Sequence, residues 1–313
     1  QWGCSLAFAC AKFGIDLDVF MVKISHKQKP YRRAMMEAYG ANCIASPSSY
    51  TEVGREILAK DPGSTGSLGI AISEAVEKCV SDSNTKYALG SVLNHVLMHQ
   101  TIIGQEAMDQ LSSINEYPDT IVGCTGGGSN FAGIAFPFLG KSLRNKNDIE
   151  LRAIEPSACP SLTKGKFAYD FGDTGGMTPL VKMHTLGSNF IPSGFHAGGL
   201  RYHGMAPVVS HLVNNGYVNP ESYTQLDVFK AGVLFAKHEG IIPAPEANHA
   251  VKGAIEAALR AKESGESKTI LFNLCGHGNF DMQAYIDYFE GKLFDQEYSD
   301  EEIGMALSGL PSV

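Results

Sequence analysis

Thr120-Ile121-Val122-Gly123-Cys124-Thr125-Gly126-Gly127-Gly128-Ser129-Asn130 decides how the chain is read. The apolar run has the length and composition of a buried strand, and it stops at three consecutive glycines. Ser129 and Asn130 follow, then Phe131-Ala132-Gly133-Ile134-Ala135, suited to the start of a buried helix. The order is strand, tight glycine-rich loop, helix. Without Cβ atoms, Gly126, Gly127 and Gly128 let the backbone turn sharply, so several N–H groups converge on one point. The positive end of the following helix adds to them, which makes an anion cradle suited to phosphate. Ser129 can add its hydroxyl and Asn130 its side-chain amide. The alternative is an ordinary turn between a strand and a helix. No Gly-Lys-Ser/Thr follows and the G-x-G-x-x-G spacing is absent, so the loop is neither a P-loop nor a dinucleotide fingerprint.

A second strand ends the same way. Thr269 to Leu274 is apolar and runs into Cys275-Gly276-His277-Gly278-Asn279. Ligands of open α/β sheets bind outside the carboxyl ends of strands, so the two turns are expected at one ligand. The rest of the chain alternates in the same manner. Helices are expected at 3–13, at 31–39 with Gly40 as the stop, at 70–80 and at 100–111. Strands are expected at 17–22, 41–45, within 84–91, and at 149–155. Residues 157–201 are rich in Gly, Pro and Thr, an irregular stretch of the kind that lines a site. Helices follow at 221–238 and from 243 to about 262. The acidic tail, 295–302, reads as solvated surface.

With 313 residues, 44% hydrophobic and 19% charged, the chain has material for a sizeable core. A net charge of −8 and the lack of a basic stripe argue against nucleic acid and anionic membranes as partners. No run of apolar residues is long enough for a membrane span. The seven cysteines, at 4, 10, 43, 79, 124, 159 and 275, contain no C-x-x-C pair. They read as reduced thiols, and no zinc site is expected. Gln1-Trp2-Gly3-Cys4 has neither an initiator Met nor targeting character and leads straight into helical spacing, like the interior of a domain.

Taken together, several segments resemble the β chain of tryptophan synthase, its second (β-like) branch more closely than its first. They are Gln1-Trp2-Gly3, Met21-Val22-Lys23, Gln28 to Met36, Leu89-Gly90-Ser91-Val92, Gly126 to Asn130, Ala197 to Gly204, Glu239 to Ala244 with Glu246, and Asn273 to Gly278. They keep the family's order and cover nearly the whole chain. The resemblance implies a pyridoxal-phosphate (PLP) enzyme of fold type II, an α/β protein with two open parallel-sheet domains. Residues 1–81 would be the remainder of an incomplete N-terminal domain, with most of its mobile subdomain. Residues 82–313 would be the domain that binds the PLP phosphate.

Carried over residue by residue, the phosphate falls on Gly126, Gly127, Gly128, Ser129 and Asn130, the cradle already read from the loop. Cys275 and Gly276 fall where the pyridine nitrogen is met. The first branch has a serine there, so Cys275 is a departure, yet its thiol is equally neutral. A neutral partner tempers PLP as an electron sink and suits β-elimination and replacement. Cys275 also fits a small buried core residue. Glu246 resembles the glutamate beside the cofactor ring, or is an acid favoured by a helix N-terminus. Ser67 falls near cofactor and substrate, or is a helix cap. Gln1, Trp2 and Gly199 fall in the substrate pocket. Arg201 replaces the acid of the first branch and can clamp a carboxylate or form an ion pair. His203 and His277 read as packing or supporting residues.

PLP chemistry needs a Schiff-base lysine. Ser25-His26-Lys27 has a matching context but lies after the Gln-Trp-Gly segment, whereas the family's lysine precedes it. The run Lys27 to Arg33 reads as a solvated charged face. The lysine and an acid/base glutamate are therefore expected upstream of Gln1, with the 313 residues an N-terminally truncated, inactive fragment. The implied reaction of the complete enzyme joins L-serine and indole into L-tryptophan. Alternatives are another type II PLP enzyme, such as a serine/threonine dehydratase, threonine synthase or cysteine synthase, or a non-catalytic fragment. A homodimer, pairing with a tryptophan synthase α subunit, and a cytoplasmic or plastid location are implied by the resemblance alone.

Overall fold

The computed structural model describes residues 1–145 and 148–312. The chain opens with α1 (Trp2–Phe13), β1 (Asp18–Val22), α2 (Lys23–Gln28), α3 (Pro30–Ala38), β2 (Asn42–Ser46), α4 (Glu52–Lys60) and α5 (Leu68–Ser81). β1 and β2 pair in parallel from Asp18 opposite Asn42 to Val22 opposite Ser46. Pro30 starts α3 at the position where a backbone N–H would have no partner. Thr51 and Ser67 cap α4 and α5, accepting the N–H of Gly54 and of Ile70. Buried Glu74 of α5 accepts the Thr51 hydroxyl at 2.7 Å and the Ser48 N–H at 3.0 Å, tying α5 to the turn after β2.

The second, larger part contains α6 (Asn94–Gln100), α7 (Ile102–Ser113), β3 (Thr120–Cys124), α8 (Ser129–Asn145), β4 (Glu150–Pro156), β5 (Lys166–Phe171), β6 (Leu180–Thr185), α9 (Pro207–Asn214), β7 (Asn219–Tyr223), α10 (Gln225–Glu239), α11 (Pro245–Ser264), β8 (Ile270–Phe272), α12 (Met282–Phe289) and α13 (Asp300–Leu307). Four strands form a parallel sheet in the order β7-β4-β3-β8. β3 is the inner strand whose every residue is buried. That is why its sequence is continuously apolar rather than alternating. The main core gathers Ile121, Phe131, Phe138, Leu151 and Val209 around β3, β4, α8 and α9.

Several elements depart from the sequence expectation. Residues 84–91 contain no strand, and the helical region before β3 is two helices, α6 and α7. The irregular stretch 157–201 holds an antiparallel hairpin of β5 and β6, fixed by the Thr185 hydroxyl on buried Asp170 at 2.7 Å. Residues 219–223 are the strand β7 instead of a helix start. Pro220, which cannot donate to a ladder, is tolerated because β7 is an edge strand. The acidic tail is not only solvated surface. Ser299 and Glu302 make a reciprocal capping box, and α13 buries Ile303. No helix among the described residues is long and apolar enough to cross a membrane.

Phe138 is fully buried and meets Tyr117 edge-on at 5.8 Å. Phe138→Ala is expected to destabilise the chain by about 3–5 kcal/mol, read as a lower urea midpoint at unchanged slope.

Candidate functional site

β3 delivers the chain to Gly126, and α8 begins at Ser129. A Cβ on Gly126 would overlap the Gly199 carbonyl oxygen and lie 2.8 Å from Leu200 Cα. One on Gly127 would overlap the Ser91 hydroxyl and lie 2.8 Å from Val92 Cγ1. Gly128 has φ +99°, a backbone region that side chains disfavour. The loop is thus clasped between residues 91–92 and 199–200 and accepts only glycine. Among the described residues, the backbone N–H groups of Gly126, Gly127, Gly128 and Ser129 have no acceptor, although all four residues are buried. Buried donors without partners at a helix N-terminus match an anion.

Asn130 is committed elsewhere. Its side-chain amide donates to the Cys124 carbonyl at 2.9 Å and to Cys124 Sγ at 3.2 Å. Its Oδ1 accepts from Asn273 at 2.7 Å. Asn130 therefore splices the ends of β3 and β8 and leaves its main-chain N–H for the cradle. The Ser129 hydroxyl points to Gly90 O at 3.5 Å.

Around the cradle, Cys275 Sγ lies 3.7 Å from Cys124 Sγ, and the Gly276 carbonyl accepts the Ala244 N–H at 2.8 Å. Gln1 Nε2 donates to Cys275 O at 3.1 Å, and Trp2 packs on Gly90. Gly199 N–H donates to Glu246 Oε1 at 2.9 Å. Glu246 stands in the first turn of α11. Burial pushes its carboxyl up, but Lys29 and the Gly199 N–H outweigh this and hold it well below the usual carboxylate range. Arg201 is buried, with Nη2 on Gln28 Oε1 at 2.8 Å and its plane over Phe195. Its Nε and Nη1 have no partner, and burial lowers its pKa to about 10.

Not every expected residue joins this cluster. Ser67 Oγ accepts the Ile70 N–H at 3.1 Å, which is the helix-cap alternative, and makes no hydrogen bond to the cradle among the described residues. His203 is buried with its ring against Tyr202 and Nε2 on Phe171 O, a packing role. His277 accepts the Asn279 N–H in the turn after Cys275. Lys27 is exposed, as expected, but the reading of the whole run Lys27–Arg33 as a solvated face fails. Lys29 lies 3.1 Å from Glu246 and 3.0 Å from Asp281, and Arg32 lies 3.5 Å from Asp281. Lys29 is the N-cap residue just before Pro30 and Arg32 lies in the first turn of α3, so the two cations, three residues apart, reach the same carboxylate, and their spacing is a signal present in the sequence. Asp281 itself carried none.

A family model described as pyridoxal-phosphate dependent enzyme matches residues 1–276. The chain is 56% identical over 298 residues to tryptophan synthase beta chain 2 of Aquifex aeolicus, spanning 94% of this chain and 69% of that one. It belongs to the tryptophan synthase beta family. Other members include tryptophan synthase beta chain of Thermococcus gammatolerans, 56% identical over 95% of this chain and 67% of that one. Tryptophan synthase beta chain 2 of Pyrococcus furiosus is 53% identical over 99% of this chain and 70% of that one. The chain thus spans about two thirds of the length of these family members. Among solved structures, a fungal L-serine ammonia-lyase from Rhizomucor miehei superposes with a TM-score of 0.63 at 14% identity, covering 92% of this chain and 78% of that one. An O-acetyl serine sulfhydrylase from Entamoeba histolytica gives 0.61 at 19%, covering 98% and 74%. These two share the fold of the family.

The family's cofactor is PLP, and the residues present fit its phosphate: four buried, unpaired N–H groups in a loop that only glycine can form. The ion cluster beside it yields a test. In the parent, Glu246 has a depressed pKa, so its contribution to stability is present above the ordinary glutamate range and is lost as pH falls through its folded value. Lys29→Met leaves burial the larger influence and raises that pKa. Stability is then lost as pH rises above the ordinary glutamate value. Urea unfolding is expected to show a loss of about 3–5 kcal/mol near pH 7, with recovery in the double variant Lys29→Met, Glu246→Gln. A loss under about 1 kcal/mol would mean that Lys29 does not hold Glu246 ionised.

Proposed function

We propose that the protein joins L-serine and indole into L-tryptophan, the tryptophan synthase beta reaction, with PLP as cofactor. The observation that carries this reading is the set of buried, unpartnered loop N–H groups at Gly126–Ser129, in a chain of this family. PLP, when bound, supplies an electron sink that weakens bonds at the α and β carbons of an amino acid.

The chain's own residues then take distinct parts. Gly126, Gly127, Gly128, Ser129 and the Asn130 main chain hold the phosphate. Cys275 and Gly276, at the end of β8, face the pyridine nitrogen with a neutral thiol instead of a carboxylate, which favours replacement over transamination. Glu246 is kept ionised by Lys29, so beside the ring it acts as a fixed negative charge and hydrogen-bond acceptor, not as an acid or a base. Arg201 presents two unpartnered nitrogens, Nε and Nη1, on a buried guanidinium, suited to an anionic group of the amino-acid substrate. Gln1, Trp2 and Gly199 line the same side. Ser67 acts through the cap of α5, setting that helix beside β1. We assign the β1–β2 pair to a domain at 1–81, and the four-stranded sheet with the β5–β6 hairpin to one at 82–313. A cytoplasmic homodimer that docks an α subunit completes the reading, supported by family membership.

Two lysines near this region have other roles: Lys27 is exposed, and Lys29 is held between two carboxylates. The 313-residue chain, mixed with PLP and treated with borohydride, is expected to carry no stoichiometric label on either lysine by peptide mass spectrometry. A full label on one of them would assign it the bond to the cofactor aldehyde.

The function is tested on the full-length protein with PLP and L-serine, with and without indole. Tryptophan is expected by chromatography. Pyruvate and ammonia, with no tryptophan in the presence of indole, would make it a dehydratase. Gly126→Ala is expected to weaken PLP binding by at least about tenfold in an absorbance titration, because its methyl group overlaps the Gly199 carbonyl. Unchanged affinity would move the phosphate elsewhere.

A further inference from the structure

The carboxyl ends of β3 and β8 carry a thiol each, and the two thiols face one another. Cys124 Sγ and Cys275 Sγ are 3.7 Å apart. β3 and β8 pair in parallel as far as Val122 opposite Phe272, and the Asn273 N–H still donates to Val122 O at 3.0 Å. On that register Leu274 would stand opposite Cys124, so Cys275 lies one residue further on, and the 3.7 Å between the sulfurs shows that the two side chains point at each other. The β3–β8 ladder has ended by this point, so the sulfurs can close without breaking it, while Cys124 stays paired with Ile154 of β4. Among the described residues no other two thiols share a hydrogen bond: Cys159 donates to Tyr202 O, Cys4 to Arg32 O and Cys79 to Thr85 O.

We propose that Cys124 and Cys275 are an oxidant-sensitive pair, which hydrogen peroxide converts to a disulfide, and that this bond loosens the phosphate cradle.

The two sulfurs are not equivalent. Cys124 is buried, and the hydrogen bond it shares with Cys275 and then burial keep its thiol protonated far above the usual range. Cys275 is partly exposed, so it is the sulfur that meets the oxidant. The thiol gives up its proton, the thiolate attacks hydrogen peroxide, the O–O bond breaks, and the departing hydroxide takes up that proton, so a sulfenic acid and one water form. The Cys124 sulfur then attacks the Cys275 sulfur, the S–O bond breaks, the Cys124 proton leaves with the hydroxide, and a second water forms. Two thiols and one peroxide become one disulfide and two waters.

The effect on the cradle follows from Asn130. Its amide donates to Cys124 Sγ at 3.2 Å and to Cys124 O at 2.9 Å, while its carbonyl oxygen holds Asn273 at 2.7 Å. Drawing Cys124 Sγ toward Cys275 removes one acceptor from this splice at the first turn of α8, where the loop N–H groups converge. It also withdraws Cys275 from the ligand side. This second consequence rests on the function proposed above; formation of the bond does not.

The full-length protein, freed of PLP, is treated with hydrogen peroxide, and the remaining thiols are alkylated. Peptide mass spectrometry is expected to show a Cys124–Cys275 cross-link about 2 Da lighter than the two free thiols, removed by dithiothreitol. PLP added beforehand is expected to slow the cross-link. PLP affinity of the oxidised protein is expected to fall at least about tenfold and to recover on reduction. In Cys124→Ala no cross-link forms, and dimedone is expected to trap the sulfenic acid on Cys275. A sulfinic acid on Cys275 beside a free Cys124 thiol would overturn the proposal, as would a disulfide that leaves PLP affinity unchanged. Reduced protein that binds no PLP while still forming the cross-link would sink the proposed function and the cradle effect but not the thiol pair.

Discussion

The site exists because the Gly126–Gly128 backbone is gripped from both sides. Residues 91–92 press on one face, and the 3₁₀ turn at Gly198–Leu200 presses on the other, with no room for a Cβ between them. The grip needs β3 to arrive at a fixed height, which its two parallel neighbours enforce. It also needs the irregular stretch after β6 to return over the sheet. Ala206 N–H on Gly127 O at 3.0 Å is one bond that brings it back. Sheet register, loop shape and the aim of the unpaired N–H groups are thus one constraint. A shift of β3 by one residue would exchange its buried faces and move the glycines out of the clasp.

A second set of forces joins the early helices to the sheet. The end of α2, the joining residue and α3 contribute Gln28, Lys29 and Arg32, which reach Arg201, Glu246 and Asp281 on the far part of the chain. Buried carboxylates and cations are costly when single and tolerable only as a closed set. Each charge here has an opposite neighbour, so the corner between α2 and α3 is specified by charge as well as by packing. The free edge of Arg201, whose Nε and Nη1 have no partner, is the exception.

What the sequence made legible follows from how local the signals were. β3, its glycine loop and α8 form one continuous stretch whose composition dictates its shape, and they were readable without the fold. So were the helix ends at Gly40 and Gly240, both with positive φ. β7 was not, because Asn219-Pro220-Glu221-Ser222-Tyr223 is polar and has no strand signature of its own; β4 pairing makes it a strand. The β5–β6 hairpin hid in a segment dominated by Gly and Thr. Ser67 looked the same as a site hydroxyl and as a cap, and only the position of Ile70 N–H separates the two. Lys29 and Arg32 were obscured by the exposed charges around them. Asp281, their partner some 250 residues on, could be supplied by the fold alone.

Pro220 has a consequence beyond tolerance of a missing donor. β7 is one border of the larger sheet, and a bare border of N–H and C=O groups is a template on which another chain can add a strand. At Pro220 such a newcomer finds a ring where it needs a hydrogen, and β7 is only five residues long. The opposite border, β8, is three residues long and soon gives way to the turn at Cys275. Neither border of this sheet offers a long run of ladder on which another chain could add a strand.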